Sequence, residues 1–197
     1  MDDAGRGPWD DVPRGLGLGL DEHRGALPYA LIHGESLVAC AAWALGESGV
    51  DLLDATISWE GVVEAEQDLV LHDALCPMAP PAFIAACLDH ARATGRPVVG
   101  TRPVTDTVKV VTDGTAGQVV GETLDRDTLI AVASPLVVPA AVLAALPQWP
   151  STDLARAVAD LAAAGHAVDT MEAPPEGRRV SSPDDLRLLE ALTAREG

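Results

Sequence analysis

Apolar positions along the chain fall into helix-like and strand-like runs that alternate. Residues 35–48 place Leu37, Cys40, Ala41, Ala44 and Leu45 on one helical face, and Gly49 closes the run. Leu52–Ser58 and Asp68–Leu71 read as short strands. Pro80-Pro81 opens a helix through Thr94, because proline is tolerated in a first helical turn. Pro97–Thr101 is the next strand. Val104–Val111 and Gln118–Thr123 alternate on either side of Thr112-Asp113-Gly114, which predicts a hairpin. Leu129–Ala133 returns to a strand, and helices follow at about 139–146, 152–164 and 183–194. The last begins at Ser182-Pro183-Asp184-Asp185, with a cap, a proline at the first helical position and acids facing the helix N-terminus. The alternation predicts an α/β sandwich, with Val104–Glu122 as a protruding β arm. Residues 1–26, rich in glycine, proline and charge, form an atypical lead-in to a single domain spanning 1–197.

Composition narrows the function classes. Thirty acidic residues against thirteen basic ones give a formal charge of −17. A general nucleic-acid binder needs a basic face to displace counterions, so that class is disfavoured, as is docking on anionic membranes. No apolar run approaches the ~20 residues of a spanning helix, and Met1 is followed by acids rather than a basic signal start, so cytoplasm is the expectation. Lys109 is the one lysine beside twelve arginines. Cys40, Cys76 and Cys87 form no CxxC pair or metal-ligand spacing and read as reduced thiols. The five histidines show no HExxH pattern.

Several short segments carry a family resemblance. His72-Asp73-Ala74-Leu75-Cys76-Pro77 is similar to an HDAARP segment, Val104-Thr105-Asp106-Thr107-Val108-Lys109 to PVxDTxK, and Glu122-Thr123-Leu124-Asp125-Arg126 to ETLDR. Ser134-Pro135 resembles TPQ, Ser151-Thr152-Asp153 TDD, and Arg178–Leu186 a terminal NIKxTxPEDL. Leu27–Leu31 and Gly34–Leu37 resemble the PKALxxLxGxPLL entry into a first helix. These motifs, in this order, are those of the 2-C-methyl-D-erythritol 4-phosphate cytidylyltransferase family. The resemblance implies a Rossmann-like nucleotidyltransferase three-layer sandwich and a homodimer joined through an arm at 103–126. It also implies transfer of CMP from CTP to a polyol phosphate in isoprenoid precursor synthesis, with Mg²⁺ and basic side chains stabilising charge at the attacked phosphorus.

The departures fall on the nucleotide side. The family's AAGxGxRxG phosphate loop corresponds to Gly15–His23, where Gly17 and Gly19 survive but Asp21 and Glu22 stand where arginine is expected. No apolar strand precedes it, since Trp9–Arg14 is a poor strand former. Tyr29 replaces the loop lysine and Cys76 the arginine of HDAARP. The segment that reads the cytosine is reduced to Ser58–Gln67, with three glutamates and no basic residue.

The polyol-phosphate side is better kept. By resemblance Asp73 binds substrate or holds Mg²⁺, Thr107 and Arg126 reach a partner's site from the arm, and Arg179 stands at a catalytic lysine position. Each has a plainer reading: a turn-capping Asp73, a strand threonine at 107, solvated charges at 126 and 179. His72, Tyr29 and Cys76 read as packing, and Lys109 as an edge-strand charge. Two functions follow. One is a degenerate homodimeric member that binds a small phosphate ligand and turns over CTP weakly or not at all. The other is a working shortened enzyme, which requires Arg14 or Arg24 to fold back over the triphosphate with Arg179 replacing the missing lysine. A purely structural or regulatory dimer is a further alternative.

Overall fold

Leucine alternating with glycine from residue 16 to 20 gives an extended strand whose leucine side chains share one face. This is β1 (Leu16–Leu20) of the computed structural model, which describes residues 15–54, 56–114 and 117–194. In chain order there follow β2 (Leu31–Ile32), β3 (Glu35–Ser36), α1 (Leu37–Glu47), β4 (Asp51–Leu52), α2 (Trp59–Glu64), β5 (Leu69–Asp73), α3 (Pro81–Thr94) and β6 (Val98–Pro103). The hairpin β7 (Val108–Gly114) and β8 (Gly117–Leu124) comes next. After it come β9 (Ile130–Val138), α4 (Ala140–Leu143), α5 (Leu154–Ala163), β10 (Asp169–Glu172) and α6 (Pro183–Thr193).

Six strands form one sheet in the order β10-β6-β9-β5-β1-β4, parallel except for β9, which runs antiparallel to both neighbours. Strand alternation sends side chains to both faces. Leu69, Leu71, Val99, Leu136 and Val138 pack with Val62 of α2, Leu143 of α4 and Leu154, Ala157 and Leu161 of α5. Val70, Val98 and Val137 turn the other way, onto Ala44 and Leu45 of α1 and Ile84, Cys87 and Leu88 of α3. A sheet covered on both faces is the expected three-layer sandwich. The hairpin is a separate two-stranded sheet, the expected arm. Among the described residues no helix is long and apolar enough to cross a membrane.

Local chemistry sets the element ends. Ser36, Ser58, Asp153 and Ser182 each accept backbone N–H groups at the N-termini of α1, α2, α5 and α6. Gly95 ends α3 at φ +67°, a conformation that favours glycine.

Five elements differ from expectation. The Leu16–Leu20 segment is a strand rather than part of a phosphate loop, and the loop proper starts at Asp21. Leu52–Ser58 is not a strand beyond Leu52, because the Asp54 carboxylate accepts the Thr56 N–H at 2.8 Å and turns the chain before Ser58 caps α2. Asp113 and Gly114 lie in the hairpin ladder opposite Gln118 and Gly117 rather than between the strands. Strand β9 runs on through Ser134-Pro135, where Gly100 lies opposite: a Cβ there would stand 2.5 Å from the Ser134 carbonyl oxygen. Strand β10, polar and at the sheet edge, has no apolar alternation to mark it. Trp9–Arg14, Arg14 included, lies outside the described residues.

Candidate functional site

Parallel strands β1 and β5 end side by side, with Leu20 level with Asp73, and their carboxyl ends open the crevice where α/β sheets bind ligands. Asp73 is the last residue of β5 and its side chain is only 5% exposed. Arg24, on the loop after β1, meets it with a two-pronged pair: Nε to Oδ1 at 2.7 Å and Nη2 to Oδ2 at 3.1 Å. Arg179 arrives from the other side, its Nε 3.2 Å from Oδ2. Its position follows from the backbone, since the Val180 N–H donates to the Leu75 carbonyl at 2.7 Å and pins that segment against the turn after β5. The Leu75 N–H completes the set, donating to Oδ1 at 2.9 Å.

Burial alone works against a charged carboxylate here. The hydrogen bonds from Arg24 and Leu75, with the charges of Arg24 and Arg179, outweigh it and hold Asp73 below the usual carboxylate range. The neighbouring His72 is fully buried, and burial pushes it down to about 4 against the opposing pull of Asp73. The Cys76 thiol is pushed up to about 12 by burial, so it is an inert filler where a cation was expected.

A cavity of about 500 Å³ lies over this cluster, lined by Arg24, Asp73 and Arg179 on one side and by Ser151, Thr152 and Asp153 on the other. Those last residues lead into α5, whose cap Asp153 accepts the Ala155 and Arg156 N–H groups. Arg179 is 42% exposed and Arg24 only 8%, so Arg179 is the cation a ligand meets first. A second cavity of about 340 Å³ adjoins it, sharing Ser151 and Thr152. Asp21, Glu22 and Asp54 line it, with Trp149, which packs against Trp59 at a ring separation of 5.4 Å. Tyr29 donates its hydroxyl to Asp21 at 3.0 Å.

The structure therefore brings together Asp73 and Arg179 of the residues marked by sequence. Thr107 and Arg126 sit elsewhere in the same chain, exposed at the base of the arm, where Arg126 Nη1 donates to the Thr105 carbonyl at 2.7 Å. Gly17 and Gly19 lie within β1. Gly17 packs under α1: a Cβ there would stand 2.6 Å from Val50 and 2.9 Å from Leu45 side-chain atoms. Ser134, marked only as part of a TPQ-like segment, and Arg24, named only for the working-enzyme alternative, are site residues whose contact with Asp73 the motifs do not show. Reading Leu16–Leu20 as a strand is the signal that moves the loop to residue 21 and makes Arg24 its cation.

A Mg²⁺ at Asp73 does not fit these residues. Oδ1 already accepts from Arg24 and Leu75, and Oδ2 from Arg24 and Arg179, leaving neither oxygen without a donor. Among the described residues no group of three or more His, Cys, Asp or Glu could hold a metal ion.

The comparison with family models decides the lineage. Residues 56–195 match the model of IspD, 2-C-methyl-D-erythritol 4-phosphate cytidylyltransferase. The chain belongs to this family. It is 40% identical over 128 residues to the 2-C-methyl-D-erythritol 4-phosphate cytidylyltransferase of Nocardia farcinica, covering 64% of this chain and 53% of that protein. It is 32% identical over 192 residues to the Deinococcus radiodurans protein of the same name, covering 93% of this chain and 72% of that one. In the Nocardia comparison, then, the chain spans about half the relative's length. The crystal structure of the Thermus thermophilus cytidylyltransferase superposes with a TM-score of 0.63 at 20% identity, over 89% of this chain and 96% of that one. An Anaerococcus prevotii structure, a 4-diphosphocytidyl-2C-methyl-D-erythritol synthase, gives 0.64 at 13% identity over 94% and 98%. The fold is the Rossmann-like nucleotidyltransferase sandwich of the IspD family.

Proposed function

We propose that this chain is a catalytically degenerate IspD-family homodimer that binds a polyol phosphate and transfers CMP from CTP weakly or not at all. The observation that carries the reading is the unequal charge of the two adjoining cavities, balanced in the larger and acidic in the smaller. The larger one presents Arg24 and Arg179 against Asp73 and the helix-capping Asp153, and the smaller one presents Asp21, Glu22 and Asp54 with, among the described residues, no Lys or Arg in its lining. A phosphate oxygen can take the remaining donors of the Arg179 fork, with the polyol hydroxyls toward Ser151 and Thr152. A triphosphate in the smaller cavity meets carboxylates, each repelling a phosphate charge at ~4 Å by about 1 kcal/mol in water and ~4 where partly buried. Removing two or three phosphate-facing cations costs about 10³ or more in rate.

The homodimer reading draws support from the arm. Val111, Val119 and Val120 are about half exposed or more on a two-stranded hairpin, a unit that is marginal in water without a covering surface. On this reading Thr107 and Arg126 reach the partner's larger cavity.

One observation favours a working shortened enzyme instead. Arg24 folds back beside Arg179, although onto Asp73 rather than over the cavity assigned to the triphosphate, so it supports that reading only in part. Pyrophosphate release from CTP, 2-C-methyl-D-erythritol 4-phosphate and Mg²⁺ separates the two, with the Nocardia farcinica relative as control. The degenerate reading expects a rate below about one-thousandth of the control. A rate within about tenfold of the control overturns it.

A further inference from the structure

The surroundings of the Arg24 guanidinium consist of oxygen. Asp73 Oδ1 lies 2.7 Å from Nε, Asp73 Oδ2 3.1 Å and the Thr152 carbonyl 2.8 Å from Nη2, and the Glu22 carbonyl 2.5 Å from Nη1. A carboxylate with two backbone carbonyls is the donor set that hard divalent cations take. Here those oxygens come from three separate segments: the loop after β1, the end of β5 and the approach to α5. They converge on a side chain that is 8% exposed and that uses four N–H bonds in the process. Its charge is permanent, unlike that of an exchangeable ion.

We infer that the Arg24 guanidinium is the resident cation of this oxygen cage, so that Asp73 binds no divalent metal and anions bind the larger cavity without one. Arg24 neutralises Asp73, and the half-exposed Arg179 is left to face the anion. The same cage explains why Arg24 is not free to move over the acidic cavity: leaving would strand a buried carboxylate and two carbonyls. The anion half of the inference rests on the phosphate-binding reading above; the metal half does not.

Mn²⁺ titration of the full chain, followed by electron paramagnetic resonance, tests the metal half. The wild type and Asp73→Asn should bind Mn²⁺ alike, and Arg24→Ala should gain a site at least about tenfold tighter, lost again in Arg24→Ala/Asp73→Asn. A wild-type Mn²⁺ site weakened about tenfold by Asp73→Asn overturns the inference, as does a folded Arg24→Ala chain that gains no site. If Arg24→Ala does not fold, the wild type against Asp73→Asn still decides. Calorimetry with inorganic phosphate tests the anion half. Equal affinity, within about twofold, in excess Mg²⁺ and in chelator supports it, and a Mg²⁺ requirement overturns it. No phosphate binding in either buffer overturns the anion half together with the phosphate reading, and leaves the Mn²⁺ result to decide the metal half.

Discussion

Ser134 Oγ stands 2.8 Å from His72 Nδ1 and accepts the Asp73 N–H at 2.8 Å, so one buried hydroxyl ties β9 to the end of β5. The opposite ring nitrogen, Nε2, is buried with no hydrogen-bond partner among the described residues, and burial disfavours a charged imidazole. His72 is therefore neutral in the fold down to about pH 4, while in the unfolded chain it takes a proton near 6.5. Between those values the unfolded state binds more protons, and stability falls as pH falls, by about 3 kcal/mol across the window. Denaturant melts from pH 7 to 4 should show this slope, and His72→Asn should flatten it. An unchanged slope in the variant contradicts the assignment.

The two arginines at Asp73 should separate by phenotype. Arg179 is half exposed, so its ion pair is screened and Arg179→Ala should cost stability less than about 1 kcal/mol. The same substitution should weaken inorganic phosphate binding about tenfold or more. Arg24→Ala leaves a buried carboxylate half-paired and should lower stability by about 3 kcal/mol or more. Melting and calorimetry on both variants check this, and equal losses of stability would speak against the division of labour.

Gly17→Ala tests the strand assignment. The added Cβ would press into Val50 and Leu45, so a destabilisation of about 1–3 kcal/mol is expected, measured by denaturant melts. Phosphate binding should be unchanged in the folded fraction, because Gly17 faces α1 and not the larger cavity.

Much of the frame is legible in residue order. Pro81 and Gly95 mark the ends of α3, Ser36 and Gly49 bracket α1, and the motifs around Asp73 and Arg179 name two side chains that do meet. The region ahead of α1 reads less well. Glycines between leucines carry no side chain to distinguish a strand from a loop, so pattern alone favours the loop, and the sheet's pairing of β1 with β5 overrides it. With the loop displaced, Arg24 is hidden from motif matching. Ser134 is marked by its TPQ-like motif but its role is not: its partners His72 and Asp73 lie some sixty positions away, and only the antiparallel entry of β9 joins them. Asp54 and Ser58 show the same limit, since side-chain caps ended a run that apolar spacing alone extends.

Removal of the arm tests the assembly. A chain lacking residues 105–122 should run as a monomer or aggregate in light scattering, since the deletion removes Val111, Val119 and Val120, the exposed apolar residues with which the arm would meet its partner. A soluble, unchanged dimer would show that the arm is not the joint.

The charge contrast between the cavities is tested most directly by isothermal titration of the full chain with CTP and Mg²⁺ beside 2-C-methyl-D-erythritol 4-phosphate. The account predicts saturable heat with the polyol phosphate, abolished by Arg179→Ala, and none with CTP in the micromolar range. Micromolar CTP binding, with the polyol phosphate silent, would contradict it.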